Sequence, residues 1–296
     1  MKSLNKKVVL ITGSSSGFGK FLVPLFLKKG WIVIASFRNN DTRKDLFSDE
    51  KKTHSGFLEV LPLDVMLAKD REGAFNFIKA RFGRLDCLIN NAGYGAFGSL
   101  EDISELEFRE QMEVNFFGAT FLTRQLLPLL REVNGKIIFV SSSFGFTGFP
   151  LSSAYCSSKF AVEGLAESLY YELRPHKVQV SLIEPGGFRT RFSQNAKWGF
   201  LSHDPQSPYH FQTENYKLFK QSLASGKGSD PEVVAKIIVS VAEQRKTKLR
   251  YRAGLDSQSV YFLRKMLPEK VFRSLWAGIC ENIFMRKPKL KIGSHE

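Results

Sequence analysis

The chain has 296 residues, of which 43% are hydrophobic and 24% are charged, proportions typical of a folded globular protein and not of a disordered chain. Lysine and arginine outnumber aspartate and glutamate by 43 to 29, which gives a net charge of +14. The basic residues are dispersed, with the densest group at 286–291, and no zinc finger or RNA-reading strand accompanies them, so we expect no nucleic-acid binding. Three scattered cysteines exclude a disulfide framework.

The beginning of the chain does not have the pattern of a targeting signal. Two lysines precede a short apolar run, Val8 to Ile11, which is shorter than the apolar region of a secretory signal. No stretch approaches the about 18 uninterrupted apolar residues of a membrane-spanning helix. We therefore expect a cytoplasmic protein in a reducing compartment.

Short apolar segments alternate with longer segments of helical period. The first strand is predicted at Val8–Ile11 and the first helix at about Phe18–Lys29, which Gly30 ends. Further strands are predicted at 31–35, 57–63, 85–90, 135–140 and 178–183, and further helices at about 69–82 and 154–173. This alternation predicts right-handed βαβ units, and thus an α/β fold with a doubly wound, Rossmann-type parallel sheet.

Two stretches depart from the alternation. Residues 191–228 are rich in aromatic and loop-forming residues and follow a late strand, so they are predicted to form an insertion over the carboxyl ends of the strands, where ligands bind. Residues 256–296 alternate apolar and basic residues at helical spacing. We expect one catalytic domain over 1–255, with 191–228 as a substrate lid, followed by a helical extension over 256–296.

A glycine-rich turn follows the first strand. Its residues, Thr12-Gly13-Ser14-Ser15-Ser16-Gly17-Phe18-Gly19, precede a helix, and glycines there permit a tight turn and the close approach of a pyrophosphate to the helix N-terminus. The spacing Gly-x-x-x-Gly-x-Gly differs from the common dinucleotide fingerprint, so the turn by itself is weak evidence for a nucleotide site.

The end of the second strand predicts the choice of cofactor. A carboxylate at this position binds a ribose 2′-hydroxyl, whereas an arginine accommodates a 2′-phosphate. The sequence has no carboxylate there but has Arg38, with Arg43 and Lys44 close behind. We therefore expect NADP(H) in preference to NAD(H).

Tyr155 and Lys159 form the first candidate catalytic pair. They are four residues apart in a segment of helical period and so share one helix face. A phenol has a pKa of about 10, and a nearby ammonium lowers it, which makes the phenol a better base at neutral pH. The Tyr-x-x-x-Lys pattern is common on ordinary amphipathic helices, so the pair needs further support.

That support comes from six motifs that occur in one order along the chain. They are Thr12-Gly13-x-x-x-Gly17-x-Gly19, Asn90-Asn91-Ala92-Gly93, Asn115, the serines at 141–143, Tyr155-x-x-x-Lys159 and Pro185-Gly186. In this order and spacing the chain resembles the short-chain dehydrogenase/reductase family over about residues 5–255. The stretch 155–164 is similar to the branch that acts on steroids and retinoids, the 17-beta-hydroxysteroid dehydrogenase-like proteins.

The resemblance implies a catalytic role for four residues. Tyr155 would be the general acid/base that exchanges a proton with the substrate oxygen, and Lys159 would lower the Tyr155 pKa and bind the nicotinamide ribose. Ser142 would hydrogen-bond the substrate carbonyl or alcohol, with Ser141 and Ser143 in capping and turn roles. Asn115 would hold a water in a proton relay to Lys159.

The resemblance also implies a set of cofactor contacts. Asp64 and Val65 would lie at the adenine, the Asn91–Gly93 segment near the adenosine ribose, and Thr190 at the nicotinamide carboxamide. The complete predicted set is Gly13, Ser15, Ser16, Gly17, Phe18, Gly19, Arg38, Asp64, Val65, Asn91, Ala92, Gly93, Tyr155, Lys159, Pro185, Gly186 and Thr190. No metal site is expected, because the five histidines show no ligand spacing.

These features predict an NADP(H)-dependent oxidoreductase that interconverts a ketone or aldehyde and an alcohol on an apolar, steroid-, retinoid- or lipid-like substrate. Two alternatives remain open: a reductase of 3-oxoacyl thioesters, and an NADP(H)-binding regulator without turnover. The resemblance further implies a homo-oligomer, with a dimer expected, paired through the helices that carry Asn115 and Tyr155. Apolar residues available for this contact are Phe116, Phe117, Phe121, Leu122, Phe160, Val162, Leu165 and Leu169.

The extension over 256–296 allows two interpretations. Pro268 should divide it into two helices. Its apolar residues could pack on the domain or roof the substrate cleft. Alternatively, they could lie in a membrane interface, with the interleaved basic residues and the tail 286–291 facing anionic lipid.

Overall fold

The computed structural model describes residues 6–38, 45–190, 192 and 196–285, and only the backbone at 226 and 227. The strands are β1 (Val8–Thr12), β2 (Ile32–Phe37), β3 (Leu58–Pro62), β4 (Cys87–Asn90), β5 (Ala96–Phe97), β6 (Lys136–Val140), β7 (Gln179–Pro185), β8 (Lys197–Trp198) and β9 (Arg250–Ala253). The helices are α1 (Gly17–Lys28), α2 (Ser48–Thr53), α3 (Ala68–Phe82), α4 (Glu105–Met112), α5 (Ala119–Glu132), α6 (Ser153–Glu172), α7 (His210–Ser222), α8 (Pro231–Glu243), α9 (Leu255–Met266) and α10 (Glu269–Phe284).

Seven strands form one parallel sheet in the order β3-β2-β1-β4-β6-β7-β9. The order reverses between β1 and β4, which creates a crevice at the carboxyl ends of these strands. The predicted α/β fold with a doubly wound, Rossmann-type sheet is therefore confirmed. The six predicted strands are all present, and no end differs by more than two residues from the expected bounds.

Helices cover both faces of the sheet. One face packs against α1 and α8, with Phe26 and Ile238 fully buried between them, and the other packs against α3, α5 and α6, with Ile78 and Leu126 fully buried. The central strand β1 has every residue buried, as expected for a parallel strand covered on both sides. The site at the ends of the strands therefore rests on a rigid base.

Strand β9 was not predicted from the sequence. Its segment Arg250-Tyr251-Arg252-Ala253 carries two arginines, which conceal the strand in a search for apolar runs. The arginines are accommodated because they pair with carboxylates: Arg250 Nε lies 3.0 Å from Glu163 Oε2, and Arg252 Nε lies 3.0 Å from Glu184 Oε2. Glu184 is almost completely buried, and the attraction between the paired charges offsets part of the cost of removing them from water.

The segment after β7 forms a second layer over one end of the sheet. In this layer β8 pairs with β5 from earlier in the chain, and α7 packs against α10. At the C-terminus, Pro268 separates α9 from α10, so the predicted division into two helices is observed. No helix in the described part of the chain has both the length and the hydropathy needed to cross a bilayer. The tail 286–291 lies outside the described residues.

Candidate active site

The glycine-rich turn joins β1 to the N-terminus of α1. Gly13 and Gly17 have φ values of +65° and +53°, a region that favours glycine, and a side chain at Gly19 would overlap the Gly13 carbonyl oxygen. Ser15 and Ser16 lie in the turn, and Ser16, the residue before the helix, makes no capping bond with its side chain. The first N–H groups of α1 thus keep their capacity to bind an anion.

The loop after β4 holds this turn in place. The Asn91 side chain donates to the carbonyl oxygens of Thr12 and Gly13, at 2.8 and 3.1 Å. The Thr12 hydroxyl in turn accepts the backbone N–H groups of Asn91 and Ala92. Gly93 lies against the Asn115 side chain. The two loops therefore form one unit at the crevice between β1 and β4.

The ends of β2 and β3 lie beside the turn. Ser14 donates its backbone N–H and its hydroxyl to the Ser36 carbonyl oxygen, both at 3.0 Å, and exposed Arg38 follows two residues later. Asp64 and Val65 follow β3, where Asp64 Oδ1 accepts the Met66 N–H. The predicted Arg43 and Lys44 lie outside the described residues.

Tyr155 and Lys159 lie on one face of α6 and are both buried, at 6% and 7% exposure. The side chains of Tyr155 and Ser142 are hydrogen-bonded to each other, and Ser142 Oγ also accepts the Phe144 N–H. Lys159 Nζ donates to the Val140 carbonyl oxygen at 2.8 Å and lies 5.7 Å from the centroid of the Tyr155 ring. The three side chains thus come together where β6 ends and α6 begins.

Burial controls the proton affinities of this group. It raises the pKa of the Tyr155 phenol, an effect that the Ser142 hydrogen bond opposes in part. Burial also lowers the pKa of Lys159 to about 8, against the attraction of Glu163 one turn further along α6. Lys159 Nζ is directed to the Val140 carbonyl oxygen, and its lowering of the Tyr155 pKa stays a prediction.

The flanking serines have backbone roles. The Ser141 N–H donates to the Ile183 carbonyl oxygen and so continues the pairing of β6 with β7, and Ser143 begins a short 3₁₀ turn. These placements agree with the strand-end and turn functions predicted for them.

Asn115 lies in a π-helical segment, Glu113–Gly118, between α4 and α5. Its amide nitrogen donates to the Tyr94 carbonyl oxygen and to Ser158 Oγ, at 3.0 and 3.1 Å, and its oxygen accepts the Tyr94 N–H. Both N–H groups of the side chain are therefore used in joining the β4 loop to α6. Its predicted role in holding a water stays a prediction.

Three predicted cofactor residues follow β7. Pro185 ends the strand, and the carboxylate of Asp256, in the first turn of α9, lies against Gly186 and accepts the Gly187 N–H at 2.5 Å. Thr190 faces the glycine turn, with its Cβ 4.0 Å from the position that a side chain on Gly17 would occupy.

Comparison with known proteins agrees with this geometry. The short chain dehydrogenase family profile matches residues 7–198. The chain is 32% identical to 3-ketodihydrosphingosine reductase of Bacteroides thetaiotaomicron, over 91% of the chain and 96% of that protein, and 31% identical to retinol dehydrogenase 8 of Bos taurus, over 96% and 92%. A short-chain dehydrogenase structure from Streptomyces avermitilis superimposes with a TM-score of 0.77 at 30% identity, covering 94% of this chain and 99% of that one.

This chain belongs to the short-chain dehydrogenase/reductase family. The resemblance predicted from the motifs is thereby confirmed, and the family binds a nicotinamide cofactor. The N-terminus of α1, where Ser16 makes no side-chain cap, is suited to the pyrophosphate of such a cofactor. No group of three metal-ligating side chains occurs in the described ranges.

In this short-chain dehydrogenase, an aromatic cluster surrounds the Tyr155 ring. Phe97, Phe144 and Phe192 contact that ring directly, with centroids 5.6, 6.0 and 5.5 Å away. The cluster also includes Phe149, Trp198, Tyr216, Phe219, Trp276 and Phe284. A cavity of about 500 Å³ opens beside the cluster between α7 and α10, but its walls do not include Tyr155.

One further residue of the cluster, Lys220, was missed at the level of sequence. It lies on α7 with an exposure of 8%, and its Nζ is 3.5 Å from the centroid of the Phe97 ring. A signal existed, because Lys220 falls on the same helix face as Thr213 and Tyr216, which are both buried.

Proposed function

We propose that this protein is an NADP(H)-dependent oxidoreductase that interconverts a carbonyl group and an alcohol on an apolar substrate. The observation that carries the proposal is the group formed by buried Tyr155 and Lys159 with half-buried Ser142, at the same end of the sheet as the N-terminus of α1. Acid/base chemistry and a dinucleotide site are thus adjacent at the same end of the sheet.

When bound, the nicotinamide supplies or accepts the hydride at its C4 atom. The chain's own residues manage the proton. Tyr155 gives its phenolic proton to the carbonyl oxygen during reduction and takes it back during oxidation, while Ser142 orients the substrate oxygen. Lys159 stabilises the phenolate that results, and burial of Tyr155 and Lys159 keeps competing water away.

The preference for NADP(H) rests on Arg38. Its position after β2, next to the turn that Ser14 connects to Ser36, corresponds to the place where a ribose 2′-group lies in Rossmann-type folds. A guanidinium there favours a phosphate over a hydroxyl.

The apolar substrate is supported by the aromatic cluster around Tyr155. We infer a substrate pocket beside these rings, which would accept a ring system or a chain in preference to a small polar molecule. Two relatives are named for 3-ketodihydrosphingosine and for retinol. Segment 191–228, which carries α7 and Phe192, is proposed as the lid over this pocket.

The helical extension suggests a second property, contact with an anionic membrane. One face of α9 and α10 packs on the domain through Phe272, Cys280 and Phe284. The opposite face is apolar and exposed, with exposures of 62% for Phe262 and 53% for Leu275. Exposed Lys265, Lys270 and Arg273 accompany these residues, a combination typical of helices in a membrane interface. An apolar substrate could then enter from the bilayer.

The central test is the variant Tyr155→Phe, with Tyr170→Phe on the same helix as its control. Loss of the phenolic hydroxyl should reduce turnover of ketones with NADPH by about 10²–10⁴-fold and leave NADPH binding within a few-fold. Tyr170→Phe should retain the wild-type rate. Retention of more than about a tenth of that rate by Tyr155→Phe would contradict the proposed acid/base role.

A further inference from the structure

Lys220 is buried in the aromatic cluster without a counterion. Its Nζ lies over the ring of Phe97 and is 5.3 and 5.7 Å from the ring centroids of Tyr216 and Phe192. Within the described part of the chain Lys220 forms no ion pair and no hydrogen bond. Its ammonium lies against the faces of these three rings. Burial lowers the pKa of its ammonium to about 7.

The neighbouring Lys217 shows what a structural lysine on the same helix does. Its Nζ lies 2.6 Å from Glu214 Oε1 and 3.1 Å from the His203 ring, close to solvent. A buried ammonium is costly unless an anion accompanies it, and aromatic faces replace only part of its hydration. Within the described residues a carboxylate lies beside Lys217 and none lies beside Lys220, so the Lys220 ammonium is available to an anion from elsewhere.

The location of Lys220 indicates that the substrate supplies this anion. The Phe97 and Phe192 rings, which flank Lys220, also contact the Tyr155 ring. A substrate that places its carbonyl oxygen at the Tyr155 and Ser142 hydroxyls therefore shares its aromatic surroundings with the Lys220 ammonium. The Tyr155 hydroxyl and the Lys220 ammonium are thus two polar groups that adjoin the same apolar rings, Phe97 and Phe192.

We propose that Lys220 binds a carboxylate carried by the substrate, at the end remote from the reacting carbon. The substrate class is then an apolar oxo acid, or the corresponding hydroxy acid. One ammonium matches the single charge of a carboxylate. A phosphate is usually bound by several donors, which often include arginine. In the described ranges no arginine contacts these rings. This inference rests on the proposed function.

The first experiment measures binding and does not depend on turnover. Decanoate and methyl decanoate would be titrated into the protein with NADP⁺, following the fluorescence of Trp198, whose ring lies 5.9 Å from Phe97. The wild type should bind decanoate at least tenfold more tightly than methyl decanoate. Lys220→Met should abolish this preference, Lys220→Arg should retain part of it, and Lys217→Met should leave it unchanged.

The second experiment compares turnover of 9-oxodecanoate and 2-decanone with NADPH. The wild type should show a lower KM for the carboxylate, and Lys220→Met should raise that KM at least tenfold with little change for 2-decanone. If Lys220 had only a structural role, Lys220→Met would instead change the KM values of both substrates equally. NMR of ¹⁵N-labelled lysine, with Lys220→Met for assignment, should show the Lys220 pKa rising when decanoate binds.

The outcomes separate the two proposals. Turnover of 2-decanone and 9-oxodecanoate with equal KM values would overturn the carboxylate site and leave the proposed function intact. Preferential binding of decanoate without turnover of any ketone would overturn the proposed function and support the carboxylate site. Tighter binding of decyl phosphate than of decanoate would overturn the assignment of a carboxylate.

Discussion

Burial acts on Tyr155 and Lys159 in opposite directions, because it disfavours the charged form of each. The phenol is kept protonated, which is the form that can donate to a carbonyl oxygen, and the pKa of Lys159 falls to about 8. The hydrogen bond from Lys159 to Val140 fixes the ammonium at the end of β6. The geometry thus holds a protonated phenol ready as a proton donor.

Arg38 provides a test of cofactor choice. Arg38→Ala should weaken NADPH binding by about ten- to a hundredfold, since a charge-assisted contact to a phosphate is lost, and should change NADH binding little. Dissociation constants for both cofactors would be measured by fluorescence titration, with Arg174→Ala, an exposed arginine after α6, as the control. Equal losses for the two cofactors would show that Arg38 does not bind the 2′-phosphate.

Lys220 predicts a pH dependence of stability. Its pKa is lowered from 10.5 to about 7 on folding, so the unfolded chain binds more protons between these values. The cost of burying the ammonium is fully present below pH 7 and disappears as the pH rises towards 10.5. Lys220→Met should therefore have a higher melting temperature than the wild type at pH 6, and this difference should be smaller at pH 10.

The measurement is thermal unfolding of the wild type, Lys220→Met and Lys217→Met across this pH range, without ligand. Lys217→Met should show no comparable pH-dependent gain, because Lys217 is paired with Glu214. An advantage of Lys220→Met that is the same at pH 6 and pH 10 would indicate better packing of methionine and not the removal of a buried charge.

At the scale of elements, α9 is attached to the active-site end of the sheet. Asp256 accepts the Gly187 N–H after β7, and the Arg252 guanidinium of β9 lies 3.2 Å from the centroid of the Tyr261 ring. Trp276 of α10 donates to the Gly148 carbonyl oxygen, near the start of α6. The extension therefore packs on the domain with one face, as the first of its two interpretations expected, while its other face remains exposed.

The exposed face of α9 and α10 predicts membrane binding. The protein should float with vesicles that contain anionic lipid at low salt and should be released by high salt, because the attraction of basic residues to the surface is screened. Phe262→Ser combined with Leu275→Ser should reduce this binding severalfold. Leu106→Ser, at a site on α4 with 67% exposure, serves as the control. No binding to anionic vesicles at low salt would leave α9 and α10 as a cover of the domain alone.

At the scale of the whole molecule, the family is commonly oligomeric, and the expected dimer surface needs revision. Leu122 and Val162, which the sequence suggested for the contact, belong to the core of the sheet and cannot take part. Phe117 and Phe121 stack on one another with centroids 5.9 Å apart, and Phe160 is 42% exposed. We propose that these three phenylalanines lie in the contact between two copies.

Phe117→Asp combined with Phe160→Asp should convert the protein to a monomer, because two carboxylates would have to be buried in each half of the contact. Light scattering at micromolar concentration would report the mass. Phe200→Asp, at a site with 77% exposure outside the helices concerned, should leave the mass unchanged. A wild-type protein that is monomeric under these conditions would contradict the proposal.

The sequence by itself determined six of the seven strands of the main sheet and the family, and it predicted Ser142, Tyr155 and Lys159 for the candidate site. Each depends on a local pattern: buried parallel strands such as β1 are continuous apolar runs, and glycines mark the turn at Gly13 and Gly17. The division of the extension at Pro268 is local for the same reason, since proline removes a helical hydrogen bond. Fixed positions at the ends of the strands then bring Ser142, Tyr155 and Lys159 together.

Only the tertiary structure decided which charged and apolar residues are buried. Strand β9 forms because Glu163 and Glu184 meet its arginines, and these carboxylates come from α6 and β7, which are far away in the chain. Lys220 resembles Lys217 in sequence and differs from it in that its side chain lies against Phe97 of β5. Burial is a property of the contact between elements, so the periodicity of one helix cannot determine it when the covering strand lies more than a hundred residues away.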